Sequence, residues 1–387
     1  MSDINVKETI IDKTSPFNIK RFNLRGLGSD FFTKTADITN VNKKYTEEVL
    51  GSKADRFIFE KGKEIPSFDK IMEIIKETDE RKLNSFFDKK AWLNNKFTVL
   101  HSILKFNPYK HIKRLNQIDG FWYYYYSYSK DMVLIPNVLK ERTPYDEEGK
   151  ALSKETIINL LDYKKYVDET YEIFNAMNNK PLFVPLSIRF DIGEIGDLLE
   201  HYLKKEYFYI WIDFEGKPAD PANSAVYAKV LKINTVLRNS KSFDKCILYV
   251  TNIKREITSN PKESFSPASN VLTSLCGANI VGKNKEPKRK FPPSEENKKK
   301  VIQHKARVFQ EDTYYYHIIE NSPISMIKNI TENTDKLASE FDNQKQNFLK
   351  DFDIKNYLGS KKMIQEYAGG KILRSLNLKD RVKRNVV

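Results

Sequence analysis

The chain has 387 residues, 40% of them hydrophobic and 12% aromatic, with a formal net charge of +14. That length admits one large barrel with additions or two ordinary domains, and the apolar content excludes a globally disordered chain. No apolar run approaches the ~18 residues of a membrane span, and the opening MSDINVKETIIDKTS lacks the apolar core of a secretory signal, so a cytoplasmic protein is expected.

The positive charge is local. Ten Lys/Arg stand against three Glu between Lys283 and Arg307, and six against one Asp from Lys371 to Val387. Such patches bind polyanions by neutralising phosphate, and they are equally the solvated loop and tail of a lysine-rich protein. Cys246 and Cys276 sit in apolar surroundings without a CxxC motif, which points to buried thiols and away from a disulfide or zinc.

In chain order, residues 1–19 are polar and unpatterned, an arm or a strap. Strand-like pieces follow at Lys20–Leu24 and Asp30–Thr39. The Gly26-Leu-Gly28 between them has Phe31 where a third glycine would stand, so a turn is expected there and a dinucleotide loop is not. Ser67 reads as an N-cap, with Phe68, Ile71, Met72 and Ile75 at helical spacing, and Leu83, Phe86, Phe87 and Trp92 follow. Residues 40–95 are therefore expected to be mainly helical. Strands are expected at Lys96–Ser102 and at Phe121–Tyr128, FWYYYYSY, whose aromatic side chains suit a pleated surface; the rings also suit stacking of bases or sugars.

From Met132 the alternation is regular. MVLIPNV leads to a helix over 154–177, LFVPLSIRF to a helix over 193–204, YFYIWIDF to a helix over 223–239, and CILYVTN to a helix over 266–276. ANIVG follows, and TYYYHII supplies a sixth strand. With two or more earlier strands the count reaches eight. The pattern predicts parallel pairing with right-handed crossovers. The expected fold is α/β, a complete or distorted (β/α)8 TIM-like barrel with N-terminal helical additions, and an open doubly wound sheet is the alternative. Residues 1–95 form the N-terminal addition, 96–320 the core and 321–387 the C-terminal part. Its long amphipathic helix, 323–352, carries Ile327, Ile330, Thr334, Leu337, Phe341, Gln344 and Phe348 at spacings of three and four. Two of these are polar, so it either packs along the domain or joins a homodimer.

Side-chain alternation locates the candidate chemistry. On one face of the two central strands lie Leu182, Val184, Leu186, Ile188 and Phe190, and then Phe208, Ile210, Ile212 and Phe214, all apolar. The other faces carry Phe183, Pro185, Ser187, Arg189 and Asp191, and Tyr207, Tyr209, Trp211, Asp213 and Glu215. In a barrel the apolar faces lie under the helices and the mixed faces look inward. Arg189, Asp191, Asp213 and Glu215 then meet at the carboxyl ends of the strands, where such folds keep their chemistry. Asp213 and Glu215 lie roughly 7 Å apart along the strand, a spacing for acid and base or for sharing Mg²⁺. Arg189 either clamps an anionic substrate or closes an ion pair with Asp213. Asn137, Thr251, Asn252, Lys254 and Arg255 are candidate substrate-orienting groups. Gly282, Lys283 and Asn284 suit a phosphate loop, continued by Lys288, Arg289, Lys290, Lys298, Lys299 and Lys300.

Other devices are missing from the sequence: GxxxxGK[ST], GxSxG, and any HxxxH or HExxH among His101, His111, His201, His304 and His317. Zinc and nucleotide cofactors are thus not expected. The expected function is a barrel enzyme, a hydrolase or transferase, acting on an anionic or polymeric substrate that includes nucleic acid as a class. One alternative is non-catalytic nucleic-acid binding through 283–307 and the tail. The D-x-E form also occurs in some glycoside hydrolases, which makes a glycosidase-like use of Asp213 and Glu215 a further alternative.

Overall fold

The computed structural model describes residues 4–376 except 25–26, 30–32, 39–40, 88, 95, 106–117, 143–149, 151, 154, 178, 223, 259–263, 286–305 and 320–323. The chain opens with three antiparallel strands, β1 (Asn5–Ile11), β2 (Asn18–Leu24) and β3 (Leu27–Ser29). The expected polar arm of residues 1–19 is therefore largely strand. Next come β4 (Thr33–Asp37), β5 (Ile58–Ile65), β6 (Thr98–Leu104), β7 (Val133–Leu134) and β8 (Asn137–Val138). A short ribbon, β9 (Glu141–Arg142) with β10 (Glu155–Thr156), precedes β11 (Leu182–Ser187), β12 (Tyr209–Asp213) and β13 (Ile247–Thr251). The remaining strands are β14 (Ile253–Lys254), β15 (Phe265–Pro267), β16 (Ile280–Val281), β17 (Asn284–Lys285), β18 (Ala306–Gln310) and β19 (Tyr315–Ile319).

Nine of these form one sheet in the order β7-β11-β12-β13-β16-β4-β5-β6-β8, and every neighbouring pair is parallel. Its two outermost members are halves of a single segment, 133–138, interrupted at Ile135-Pro136. Val133 pairs with Leu182 on one side, and Asn137 pairs with Ile103 on the other. The sheet is strongly curled: the His101 ring on β6 lies 5.6 Å from Trp211 on β12. Pro136 falls at the interruption and Pro185 lies in β11 two residues past its last pairing with β7, and each lacks an N–H for the ladder. Aromatic side chains take up the carbonyls there. Tyr202 donates to Pro185 O at 2.6 Å, Tyr166 to Pro136 O at 2.9 Å, Tyr125 to Leu134 O at 2.8 Å, and the Trp211 indole to Ile135 O at 2.9 Å. Burial drives the hydroxyls of Tyr125, Tyr163, Tyr166 and Tyr202 well above the ordinary tyrosine range, so they stay donors at any working pH.

The connections are helical. A single turn, α1 (Lys43–Tyr45), follows β4; α2 (Phe68–Lys76) and α3 (Glu80–Phe86) join β5 to β6; and α4 (Asp119–Tyr128) joins β6 to β7. Further along, α5 (Leu160–Ala176) precedes β11, α6 (Ile192–Lys204) precedes β12 and α7 (Ser224–Asn239) precedes β13. Ser67 caps α2 by accepting the Lys70 N–H, and Asn159 caps α5 by accepting that of Asp162. The long helix α8 (Met326–Asp351) is capped by Ser325 and buries Leu337, Phe341, Gln344 and Phe348 against its own domain. The expected start at Pro323 lies outside the described residues.

Alternation along the strands divides the interior into two cores, as the strand reading anticipates. Val184, Leu186, Ile210, Ile212, Leu248 and Val250 join the core under the helices. Ile58, Val99, Leu134, Phe183, Trp211, Tyr249 and Ile280 form a second core on the concave side. Phe22 and Leu24 of β2, with Ile4, close its amino end. Burying such a side chain is worth about 1.5–3 kcal/mol, so these residues hold the inner face of the sheet together.

Several expectations are corrected. Residues 40–95 are mainly helical, as expected, but β5 runs through them and lies in the large sheet; with β4 it places sheet strands well before residue 96. FWYYYYSY is helix α4, since packing overrides aromatic strand propensity: Phe121, Trp122, Tyr125 and Tyr126 are buried on one helical face. TYYYHII does form a strand, β19, but it pairs antiparallel with β15 and β18 in a separate sheet. The helix expected over 266–276 is a short strand followed by a 3-10 helix, Asn270–Cys276. Lys20–Leu24 lies in the antiparallel hairpin outside the large sheet.

Candidate functional site

Above the apolar inner core, the carboxyl ends of the strands turn polar on the same concave face. Two buried carboxylate centres result.

The first is Glu60 on β5, fully buried. One of its oxygens accepts Thr35 Oγ1 at 2.6 Å and the Lys283 main-chain N–H at 2.7 Å. The other accepts Thr251 Oγ1 at 2.7 Å and lies 2.8 Å from His101 Nδ1, at a poor hydrogen-bond angle. Burial by itself would push this carboxyl up. The imidazole beside it, through contact and charge, and the Thr35 hydroxyl outweigh that and hold it well below the usual range. Glu60 thus ties β4, β6, β13 and the chain after β16 together across the concave side.

The second centre is Asp213 with Glu215, at the end of β12. Asp213 is fully buried, and its acceptors are filled by Asn137 Nδ2 at 3.0 Å, Asn252 Nδ2 at 2.9 Å and the Glu215 N–H at 2.9 Å. The Tyr163 hydroxyl donates to Asn137 Oδ1 at 2.8 Å, which fixes that amide with its NH₂ toward Asp213. Glu215 accepts Ser187 Oγ on one oxygen and Arg189 Nε on the other at 3.1 Å. Its carboxyl is pushed up to about 7, first by burial and then by the neighbouring Asp213 charge, against the opposing pull of Ser187 and Arg189. Glu215 and Asn252 hold the left-handed region at φ +48° and +58°, conformations that cost non-glycine residues energy and concentrate at functional sites.

The expected quartet is therefore only partly assembled. Arg189 pairs with Glu215, not with Asp213. Asp191 is exposed and forms a reciprocal capping box with Glu194 at the start of α6. Asn137 and Asn252 bind Asp213, and Thr251 binds Glu60. Lys254 donates to the Ile257 carbonyl at 3.4 Å, and Arg255 lies against Glu256 and over the Tyr316 ring.

Gly282 faces Thr251: a Cβ there would meet the Thr251 Cβ at 2.5 Å and the Tyr249 ring at 2.9 Å. Close packing, rather than a phosphate cradle, explains that glycine. The Lys283 ammonium pairs with Asp37 at 2.9 Å, and Asn284 is in β17, paired with Ile253. Lys288, Arg289, Lys290, Lys298, Lys299 and Lys300 lie outside the described residues.

Among the described residues, no group of three or more His, Cys, Asp or Glu side chains could hold a metal ion, and no helix is long and apolar enough to cross a membrane. Cys246 and Cys276 are buried and unbonded, and burial pushes the Cys246 thiol up to about 11.

Glu60, Thr35 and Ser187 are central to these two centres, yet sequence reasoning did not select them as candidates. For Glu60 the stretch IFEKGKEI gives no clear signal, because Glu60 and Glu64 on one face are matched by Lys61 and Lys63 on the other. No protein-family model matches the chain, and no curated protein matches it, so the chemistry of this site rests on its own geometry.

Proposed function

We propose that the curled sheet closes into an eight-stranded (β/α) barrel, with 133–138 as one strand shared by both edges, and that the chain is an enzyme whose proton-transferring group is Glu215. The tyrosine and tryptophan donors around Pro136 and Pro185 support the closure, since they replace the ladder bonds lost where the two edges meet. The observation that carries the enzyme reading is Glu215 itself: a carboxyl near the carboxyl ends of the strands, held in a left-handed backbone and raised to about 7 beside a fixed anion. Such a group is divided between acid and base near neutral pH, where proton transfer is most efficient.

Asp213 is not a second reactive carboxylate in this reading. Its acceptors are occupied, so it supplies the field that raises Glu215, and a glycosidase-like division of labour is not favoured. Arg189 is the most accessible member, with about a third of its side chain exposed. It suits an anionic substrate group, and when it turns to that group Glu215 loses its cation and becomes a stronger base. The substrate class is therefore a phosphorylated or carboxylated molecule, and the reaction a hydrolysis or group transfer assisted by proton transfer.

The test begins with pH-difference infrared spectroscopy on the wild type and on Glu215→Gln. A carboxyl band titrating near 7 in the wild type and absent from the variant supports the assignment. Turnover of phosphoesters, glycosyl phosphates and oligonucleotides is then screened. Activity with a pH limb near 7 that is lost in Glu215→Gln is expected, and equal activity in the folded variant overturns the proposal.

A further inference from the structure

Ser187 is the last residue of β11, and among the described residues it is the one hydroxyl bonded to Glu215. Its Oγ donates to one oxygen of that carboxyl and accepts the Arg189 main-chain N–H at 3.1 Å. A hydroxyl has one proton and two lone pairs. The proton is therefore directed at Glu215, and among the described residues one lone pair of Oγ is left unused. Glu215 is fixed in its turn, because its N–H is bonded to the Asp213 carboxylate at 2.9 Å, which Asn137 and Asn252 hold in place. A hydroxyl, a carboxylate within hydrogen-bond reach and a third group that holds the carboxylate make the arrangement of an activated oxygen nucleophile.

Two other hydroxyls, those of Thr35 and Thr251, also donate to a buried carboxylate, but theirs is Glu60, which is held well below the usual range and binds a proton weakly. The partner of Ser187 is different. Glu215, raised to about 7, takes a proton from a hydroxyl and returns it near neutral pH.

We infer that Ser187 is the nucleophile of this site, and that the substrate is a phosphate ester whose phosphoryl group passes through its Oγ. This rests on the reading of Glu215 as the proton-transferring group. Ser187 and Arg189 bond to the two oxygens of one carboxyl, so an anion held by the guanidinium lies beside the hydroxyl. The anionic group and the reacting centre are then the same group, which fits a phosphoryl group and not a carboxylate, whose carbon resists attack. Arg189 uses Nε for Glu215, and among the described residues its terminal nitrogens keep the fork that matches phosphate. Ser187 has no exposed surface, whereas about a third of the Arg189 side chain is exposed. The way in from solvent therefore leads past the guanidinium, and the hydroxyl is uncovered as Arg189 turns to the anion.

In the first half of the reaction the bond from Oγ to phosphorus forms while Glu215 takes the hydroxyl proton. The bond from phosphorus to the leaving oxygen breaks with its electron pair, and that oxygen receives the proton from Glu215. In the second half water attacks phosphorus and Glu215 takes a water proton. The bond from phosphorus to Oγ then breaks, and Oγ regains the proton as the phosphate product leaves.

The probe is para-nitrophenyl phosphate, mixed with the full chain, quenched in acid and followed by mass spectrometry of the digested protein, since phosphoserine survives acid. A phosphoryl group on the peptide carrying Ser187, with a burst of nitrophenolate, is expected. Ser187→Ala, shown to be folded by urea denaturation, should lose the label and about a hundredfold or more in turnover. No label on Ser187 in the wild type overturns the inference, and so does turnover within about twofold of wild type in Ser187→Ala. Turnover lost in Glu215→Gln but kept in Ser187→Ala means that Glu215 activates water directly, so the nucleophile falls and the reading of Glu215 stands. Turnover kept in both variants removes both.

Discussion

Glu60 and Glu215 are both nearly devoid of solvent on the same concave face, yet their carboxyls shift in opposite directions. Burial pushes both up. Glu60 meets hydroxyl and main-chain donors and an imidazole, and these reverse the effect. Glu215 has Ser187 and Arg189 but also the anion of Asp213, and burial prevails. Depth alone therefore does not fix the direction; the balance between burial, the donors a carboxylate accepts from and the charges around it does. Glu60 holds strands together, and in the proposed function Glu215 is the group that exchanges a proton.

The sharpest way to break this comparison is to remove the anchor. Glu60→Ala leaves the Thr35 and Thr251 hydroxyls and the Lys283 N–H without their acceptor, and His101 without its partner. Losing one member of such a buried cluster costs about 3–5 kcal/mol. Urea denaturation of the variant should show a loss of that order. A loss under about 1 kcal/mol would mean Glu60 is not the brace described.

The pH dependence of stability separates the two centres further. The Glu60 carboxyl is depressed in the fold, so its contribution is complete above the unfolded value of about 4.3 and is lost as pH falls below it. Glu215 has the opposite sign. Its native value of about 7 exceeds the unfolded one, so the fold keeps a proton that the unfolded chain has released. Its contribution is complete below about 4.3 and is lost as pH rises through about 7, with a slope of up to about 1.4 kcal/mol per unit. Glu215→Gln cannot titrate and lacks this descent, whereas Glu60 is common to both proteins. The variant should therefore gain on the wild type between pH 5 and 8, by a total on the order of 2–3 kcal/mol in urea midpoints converted to free energy. Parallel curves would place the Glu215 carboxyl in its ordinary range.

The same pair shows what a sequence makes legible. Leu182–Ser187 and Tyr209–Asp213 are strands with one wholly apolar face, so their inner and outer faces can be read directly; the Asp213–Glu215 step cannot, because β12 ends at Asp213 and Glu215 turns back at φ +48° with its N–H on the Asp213 carboxylate. In Ile58–Ile65, IFEKGKEI, charged side chains occupy both faces. Glu60 is satisfied by residues 25, 41, 191 and 223 positions away, and nothing local announces them. The helix α4 fails for the opposite reason, because its aromatic run suits either periodicity and only packing decides. Asp191 illustrates a third limit. Its place at a strand end suggested chemistry, but the Asp-x-x-Glu that begins α6 with Glu194 is a capping signal, and the cap takes it.

The finest test asks whether the two neighbours of Glu215 pull as assigned. Asp213→Asn removes the anion that raises it, so the Glu215 infrared band should titrate lower, by about a unit. The new amide also faces the Asn137 and Asn252 donors, which adds a stability loss of about 1–3 kcal/mol. Ser187→Ala acts the other way. It deletes a hydroxyl that stabilises the ionised carboxylate, so the band should move above its wild-type position, with about 1 kcal/mol lost in urea denaturation. A general loosening of the site would let water reach Glu215 and lower its titration in both variants. Opposite displacements in two singly substituted proteins can arise only if Asp213 and Ser187 act on the carboxyl directly, one by charge and the other by hydrogen bonding.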